Sequence, residues 1–395
     1  MTAAPMPVSG IVDSPPRAAG IVRQRVLAVL LVALLLALWL LPFLRVAPNR
    51  LLSGQGVNLL VVLHGGWYLL GLGLVWLAAA VVLPPRRGID FVTVLVAALL
   101  LAGLTALAGA EATRQSALLS PLARVSLNGG FWLGALLLWA IGADALRRLW
   151  PGRALAVVLL LPPVLLLAGG ALDDLSLLKE YANRDEVFAA AVLRHLQIVG
   201  VSLLPALLVG LPLDVAAARR PGLARPLFVV LNLVQTIPSI ALFGLLIGPL
   251  AWLGQAWPAS GVQGIGLLPA AIALTLYALL PIVHGVTSGL QQIAPPVLEA
   301  ASAMGMSRRQ RFWQIECPLA WPVLLSALRL TTVQLVGLVV VAALIGAGGL
   351  GAIVFQGLLG SALDLVLLGV IPVLAIALVV DAGFAVLLRA SVPSR

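Results

Sequence analysis

The side chains that could break bonds or hold a metal are few. The 395 residues include three histidines (His64, His195 and His284), one cysteine (Cys317) and one lysine (Lys179). The histidines lie far apart, and none has a ligand-type residue three or four positions on. A helical metal pair needs such spacing. A lone cysteine makes neither a disulfide nor a thiolate cluster within one chain. Lys179 precedes Glu180, so the Gly-Lys-Ser/Thr of a phosphate-binding loop is missing. Paired acids, a histidine cluster and a Ser/Lys dyad, which an intramembrane enzyme would need, are also missing. No metal and no bound organic cofactor is therefore expected on this chain, and any nucleotide that drives it must bind another subunit.

The chemistry that remains is mechanical. Between His284 and Pro318 the chain carries Pro295 and Pro296, then Glu299, Ala300, Ala301, Gly305, Ser307, Ile315 and Pro318. Prolines suit a helix start, where missing N–H groups cost nothing. Glu299 is then expected in the first turn, where the helix dipole favours an acid. The alanines keep this helix thin, and Gly305 is expected to end it in a left-handed conformation. Ser307 can cap a second short helix. Two short helices joined at a glycine can form a compact knob that seats in a groove of a soluble partner. They can equally form an amphipathic linker on a membrane surface. The residues alone leave both open.

The rest of the chain has to position this segment in a membrane. Hydrophobic residues make up 62% and charged residues 10%, and mean hydropathy is +1.13. Soluble domains of this size carry far more polar surface. The fold class expected is all-α: a polytopic membrane protein of about ten transmembrane helices, since a span needs roughly 20 apolar residues. The apolar stretches lie near 26–44, 58–83, 90–109, 128–146, 154–171, 196–217, 227–249, 265–283, 319–345 and 364–388. Arg23 and Arg25 precede the first, and no small-residue cleavage site follows it, so it is expected to be a retained span. With both termini inside, sixteen basic residues fall on inside segments and seven outside, with Arg329 left within a span. That bias places the N- and C-termini in the cytoplasm. The net charge of +10 is read as this topology signal, and no nucleic-acid partner is expected.

The polar stretch 172–195 divides the chain. Expected are a cytoplasmic tail over 1–25, an extension of about five spans over 26–185, and a second domain over 186–395 with its cytoplasmic loop at 285–318. Val187, Ala191 and Leu193 suggest a short interfacial helix leading into the sixth span. Within the second domain, Gln235, Thr236 and Pro238 interrupt a span, and can either line a path or bond between helices. Gly346, Gly348, Gly349 and Gly351 end the ninth span in a tight turn or a flexible outer gate. Arg329 is expected to snorkel to the inner interface, with Asp381 a candidate inner-face partner. Asp214 is expected to pair with Arg219 and Arg220. Most of the ten tryptophans lie near span ends, as in an interfacial belt. A cation cage of the kind that holds quaternary ammonium groups is therefore expected on another protein.

Glu299-Ala300-Ala301, Gly305, Ile315 and Pro318, at these spacings, resemble the EAA loop of ABC importer permeases, although Cys317 stands where that family often has leucine. His195-Leu196 through Ser202 and on to Gly210-Leu211-Pro212-Leu213 resembles the first core span of osmoprotectant permeases, with Asp214 where glycine is common. Gln235-Thr236-Ile237-Pro238-Ser239 resembles their Gln-Thr-(Ile/Val)-Pro-Ser/Thr motif. Ile345-Gly346-Ala347-Gly348-Gly349-Leu350-Gly351 resembles their glycine-rich turn. The likeness covers about 195–389, and one branch of that family carries a long N-terminal extension. It implies a type I importer permease core in a bacterial inner membrane, with Glu299, Ala300, Ala301, Gly305, Ile315 and Pro318 coupling to a cytoplasmic ATPase that binds ATP. Gln235, Thr236, Pro238, Gly348 and Gly349 would border the translocation path. A periplasmic binding protein, a second copy or related permease, and membrane lipid are the other partners implied. Glycine betaine, choline and carnitine are the solutes implied, with another amino-acid-like solute as an alternative. An ion-coupled secondary carrier is a further alternative, but it leaves the loop without a role.

Overall fold

The computed structural model describes residues 16–391 except 50, 51, 53, 64–66, 85, 121 and 151–157. Residues 1–15 of the expected tail, Arg50, His64, Arg153, Arg395 and residues 154–157 of the fifth apolar stretch lie outside the described residues. The chain divides into two compact units, Met1–Lys179 and Glu180–Arg395.

The first unit contains α1 (Pro16–Leu40), α2 (Leu59–Val62), α3 (Trp67–Val82), α4 (Arg87–Leu118), α5 (Gly129–Leu149), α6 (Leu161–Ala168) and α7 (Ser176–Ala182). It also holds three short strands, β1 (Leu44–Ala47), β2 (Gln55–Val57) and β3 (Arg124–Leu127), outside the helical expectation. β1 is central and antiparallel to both neighbours, pairing Leu44 with Val57 on one side and with Leu127 on the other. The inward side chains Leu44, Val125 and Leu127 are buried, as the two-residue period of a strand requires. The first expected span therefore stops at Leu40 and its last residue, Leu44, opens a strand. Phe43 and Phe131 pack with ring centroids 5.8 Å apart in a core shared with Leu34, Leu77, Leu104 and Ile141. Arg148 joins α4 to α5 by reaching Asp90 (3.1 Å) and Asp144 (2.5 Å).

The second unit contains α8 (Asp185–Arg219), α9 (Pro221–Thr236), α10 (Ser239–Ala256), α11 (Leu267–Gln291), α12 (Pro295–Ala303), α13 (Arg308–Arg311), α14 (Cys317–Ala342), α15 (Leu350–Leu359) and α16 (Leu363–Ser391). Residues 185–195 are continuous with the span in α8 and form no separate interfacial helix. The expected span 227–249 is two helices, because Ile237 and Pro238 adopt extended conformations between α9 and α10. Helix α11 runs on through His284, which the sequence placed in the loop.

Among the described residues seven helices are long and apolar enough to cross a membrane: α4, α5, α8, α10, α11, α16 and the continuous helix Arg308–Ile345 that contains α14. Five shorter apolar helices accompany them. Within lipid, apolar burial does not drive helices together, so close packing of small residues has to. Gly285 and Gly289 form such a face on α11. A Cβ at Gly285 would stand 2.2 Å from Ala327 Cβ, and one at Gly289 3.2 Å from Ala320 Cβ, both on α14. Gly285→Val is therefore expected to force α11 and α14 apart, and overpacking of this kind costs about 1–3 kcal/mol or more. Gly337→Ala, on α14 with open space around it, is expected to leave stability unchanged or raise it by up to about 1 kcal/mol through helix propensity. Thermal unfolding of the detergent-solubilised chain checks both.

Candidate functional site

The loop after α11 is a built structure. Ala294 is extended and Pro295 opens α12. Glu299 is the fifth residue of that helix and lies in its second turn, beyond the first-turn position expected, because the helix begins at Pro295 itself. Glu299 and Ala300 are exposed, whereas Ala301 is buried. Gly305 has φ +79°. The Met306 N–H donates to Ala301 O (3.2 Å) and the Gly305 N–H to Ser302 O (3.0 Å), the paired bonds of a Schellman stop. Ser307 then caps α13 reciprocally with Gln310, satisfying two free helix donors.

Side chains fasten this knob to the long helices. Arg311 donates to Ser302 Oγ (3.1 Å) on α12 and to Glu316 Oε1 (3.0 Å). Arg219, at the end of α8, lies 3.9 Å from Glu316 Oε2 and 4.8 Å over the Phe312 ring. Ile315 lies in a π-helical turn, Phe312–Glu316. There the Cys317 N–H reaches Phe312 O, one residue farther back than in an α-helix, next to Pro318, which has no N–H to continue the ladder. Val297, Met304 and Trp313 leave an apolar surface exposed on the knob.

Of the residues expected to border a path, the structure brings one to a cavity. Gln235 lines a space of about 500 Å³ together with His284, Ser288, Ser326 and Gln334. Thr236 and Pro238 shape the break beside it and are not part of the lining. Bonds within α9 and across to α11 brace the break. Gln235 Nε2 donates to Tyr277 O (2.7 Å), Thr236 Oγ1 to Leu233 O (2.7 Å), and the Tyr277 hydroxyl to Ile237 O.

Gly348 and Gly349 lie elsewhere, in the turn after α14. With Gly346 they have φ of +79° to +83° and +76°: Gly346 +79°, Gly348 +83°, Gly349 +76°. The turn is tied down. Arg194 Nε donates to Ala347 O (3.0 Å), the Gly266 N–H donates to Ile345 O (2.7 Å), and a Cβ on Gly349 would stand 3.3 Å from His195 Cα. His195 is fully buried, with Nε2 3.0 Å from Val336 O. A tight, anchored turn fits these contacts.

One of the two marked charges has a partner other than those expected, and the other meets its candidate partner. Asp214 is fully buried. It accepts from the Thr287 N–H (2.9 Å) and from the Thr287 hydroxyl on α11, while Arg219 is engaged with Glu316. Arg329 meets the candidate Asp381. Its Nε and Nη2 grip both oxygens of Asp381 at 2.5 and 2.6 Å, joining α14 to α16. No signal local to the sequence pointed to Thr287 or to the cavity residues His284, Ser288, Ser326 and Gln334.

Long apolar helices around a helical knob define a multi-pass membrane protein. Residues 199–391 match the family described as the binding-protein-dependent transport system inner membrane component. Residues 22–178 match the N-terminal domain of the ABC transporter permease YehY. The osmoprotectant import permease protein OsmW of Salmonella typhimurium is 37% identical over 193 residues, 49% of this chain and 86% of that protein. The choline transport system permease protein OpuBB of Bacillus subtilis is 32% identical over 200 residues, 51% of this chain and 86% of that protein. A chain of the inward-facing MetNI methionine ABC transporter is 27% identical, covering 52% of this chain and 96% of its own length, with a TM-score of 0.47. The chain belongs to the family of ABC importer permeases, as a membrane-spanning transport subunit.

Proposed function

We propose that this permease carries an osmoprotectant such as glycine betaine across the inner membrane, driven by ATP bound on a separate cytoplasmic ATPase. A periplasmic binding protein delivers the solute, a second copy or a related permease completes the path, and both termini are cytoplasmic. The observation that carries this reading is the exposed, internally braced knob of α12 and α13. Glu299 and Ala300 offer a surface to the ATPase, while Ala301 and Gly305 hold its shape. Through Arg311, Glu316 and Arg219 a push on the knob reaches α14 and α8 together. Coupling then requires only that ATP binding favours one of two arrangements of these helices. Gln235 borders the path, with Thr236 and Pro238 shaping the break beside it. Gly348 and Gly349 close the turn at the other end of α14.

The test is ATP hydrolysis by the complex of this chain with its candidate ATPase and binding protein. Native complex is expected to show solute-stimulated hydrolysis. Glu299→Arg and Gly305→Trp are expected to lower that stimulation at least tenfold while the chain still elutes as a folded species. Gly305 has open space around it, so the tryptophan acts through the left-handed backbone and the docking surface. Unchanged stimulation in both variants would sink the coupling role of α12.

A further inference from the structure

The cavity between α9, α11 and α14 has a composition that helix packing alone does not account for. Five polar side chains from three helices converge on it, and its remaining walls are aliphatic, with Leu280, Pro281, Val323 and Leu330 among them. Polar groups at membrane depth normally find partners on neighbouring helices. Here Gln235 donates to Tyr277 O and Ser326 to Pro322 O. The side chains of His284, Ser288 and Gln334 make no hydrogen bond among the described residues. His284 instead lays its ring against Phe228, centroids 4.5 Å apart. None of the lining residues is Asp, Glu, Lys or Arg.

We propose that this cavity is a wetted solute-contact station for molecules without net charge that present a hydrogen-bonding end and an alkylated end. The inference rests on the importer reading and adds the substrate class and its residues. His284, Ser288 and Gln334 supply donors and acceptors for a carboxylate or amide end. The aliphatic wall receives methyl or ring carbons. A cavity lined by no carboxylate offers a cation no counter-ion, whereas its amide, imidazole and hydroxyl groups can make charge-assisted hydrogen bonds to a carboxylate. A zwitterion brings its own compensation, so glycine betaine fits where choline does not.

The experiment uses the full complex in proteoliposomes, with Cys317→Ala as background. Ser288→Cys and Gln334→Cys are expected to react with a membrane-impermeant thiol reagent. Leu378→Cys, on the exposed face of α16, is expected not to react. Saturating glycine betaine is expected to slow modification at both cavity positions at least fivefold, and choline less than twofold. Ser326→Cys, whose native hydroxyl bonds only within its own helix, gives a third position should either of the others fail to assemble. Absence of reaction at all three positions overturns the wetted cavity. Equal protection by choline overturns the charge-neutral class. If glycine betaine is taken up in an ATP-driven manner yet protects none of the cysteines, the station is wrong and the importer reading survives. If the native complex takes up no such solute, the importer reading itself has failed and the station falls with it.

Discussion

Arg329→Met, introduced alone, is expected to lower the stability of the solubilised chain by about 3 kcal/mol, the cost of leaving one charge bare at membrane depth. That corresponds to a more than hundredfold loss in the folded-to-unfolded ratio, at roughly 1.4 kcal/mol per factor of ten. The reason lies in the geometry. Both nitrogens of the guanidinium fork meet both oxygens of Asp381, at 2.5 and 2.6 Å, and such bidentate pairs are the strong ones. The partners belong to two of the most apolar helices in the chain, Arg308–Ile345 and Leu363–Ser391. Removing the arginine strands Asp381. Removing both charges together, in Arg329→Met/Asp381→Leu, is expected to recover most of the loss, because neither charge is then left bare between apolar helices. Fluorescence-detected thermal unfolding of the three variants decides it. A double variant no more stable than the single one would contradict the account.

Asp214→Leu is expected to be nearly as damaging, for a different reason. The Thr287 N–H and hydroxyl both donate to a carboxylate that is fully buried. Leucine accepts neither, and each stranded donor costs about 1–3 kcal/mol. Asp214→Asn keeps one acceptor oxygen and is expected to cost about 1 kcal/mol, the net worth of one hydrogen bond. Thr287 lies in the last turns of α11, which ends at Gln291, just before α12. The leucine variant should therefore also lose solute-stimulated ATP hydrolysis, whereas the asparagine variant should keep it. Equal melting temperatures for the two variants would show that the hydrogen bonds are not what holds Asp214 in place.

What could be read from the chain beforehand divides by the range of the interaction. The stop at Gly305 and the cap at Ser307 depend on residues within one turn, and both were legible. So was the interruption at Pro238, because proline acts on its own backbone. Asp214 was misassigned to Arg219 and Arg220, its neighbours along the chain, while its partner Thr287 lies 73 residues away. Asp381 could be named as a candidate partner for Arg329 across 52 residues, because both are lone charges within apolar runs. His284 looked like loop because polar residues follow it, yet α11 extends to Gln291 and carries its ring toward Phe228. The strands escaped notice because each has only three or four residues, too few for alternation to stand out beside long apolar runs.

Those strands have a bearing on how the first unit lies in the bilayer. In the order β2-β1-β3 the two outer strands each pair, among the described residues, with β1 alone. The edges of an open sheet need partners that hydrocarbon cannot supply. The sheet therefore belongs to the aqueous phase, and it acts as a waterline. The end of α1, the start of α2, the end of α4 and the start of α5 all lead to or from it within a few residues. All four must emerge on one side of the membrane, at one depth, so a shift of any of these helices along its axis would have to pull the others with it.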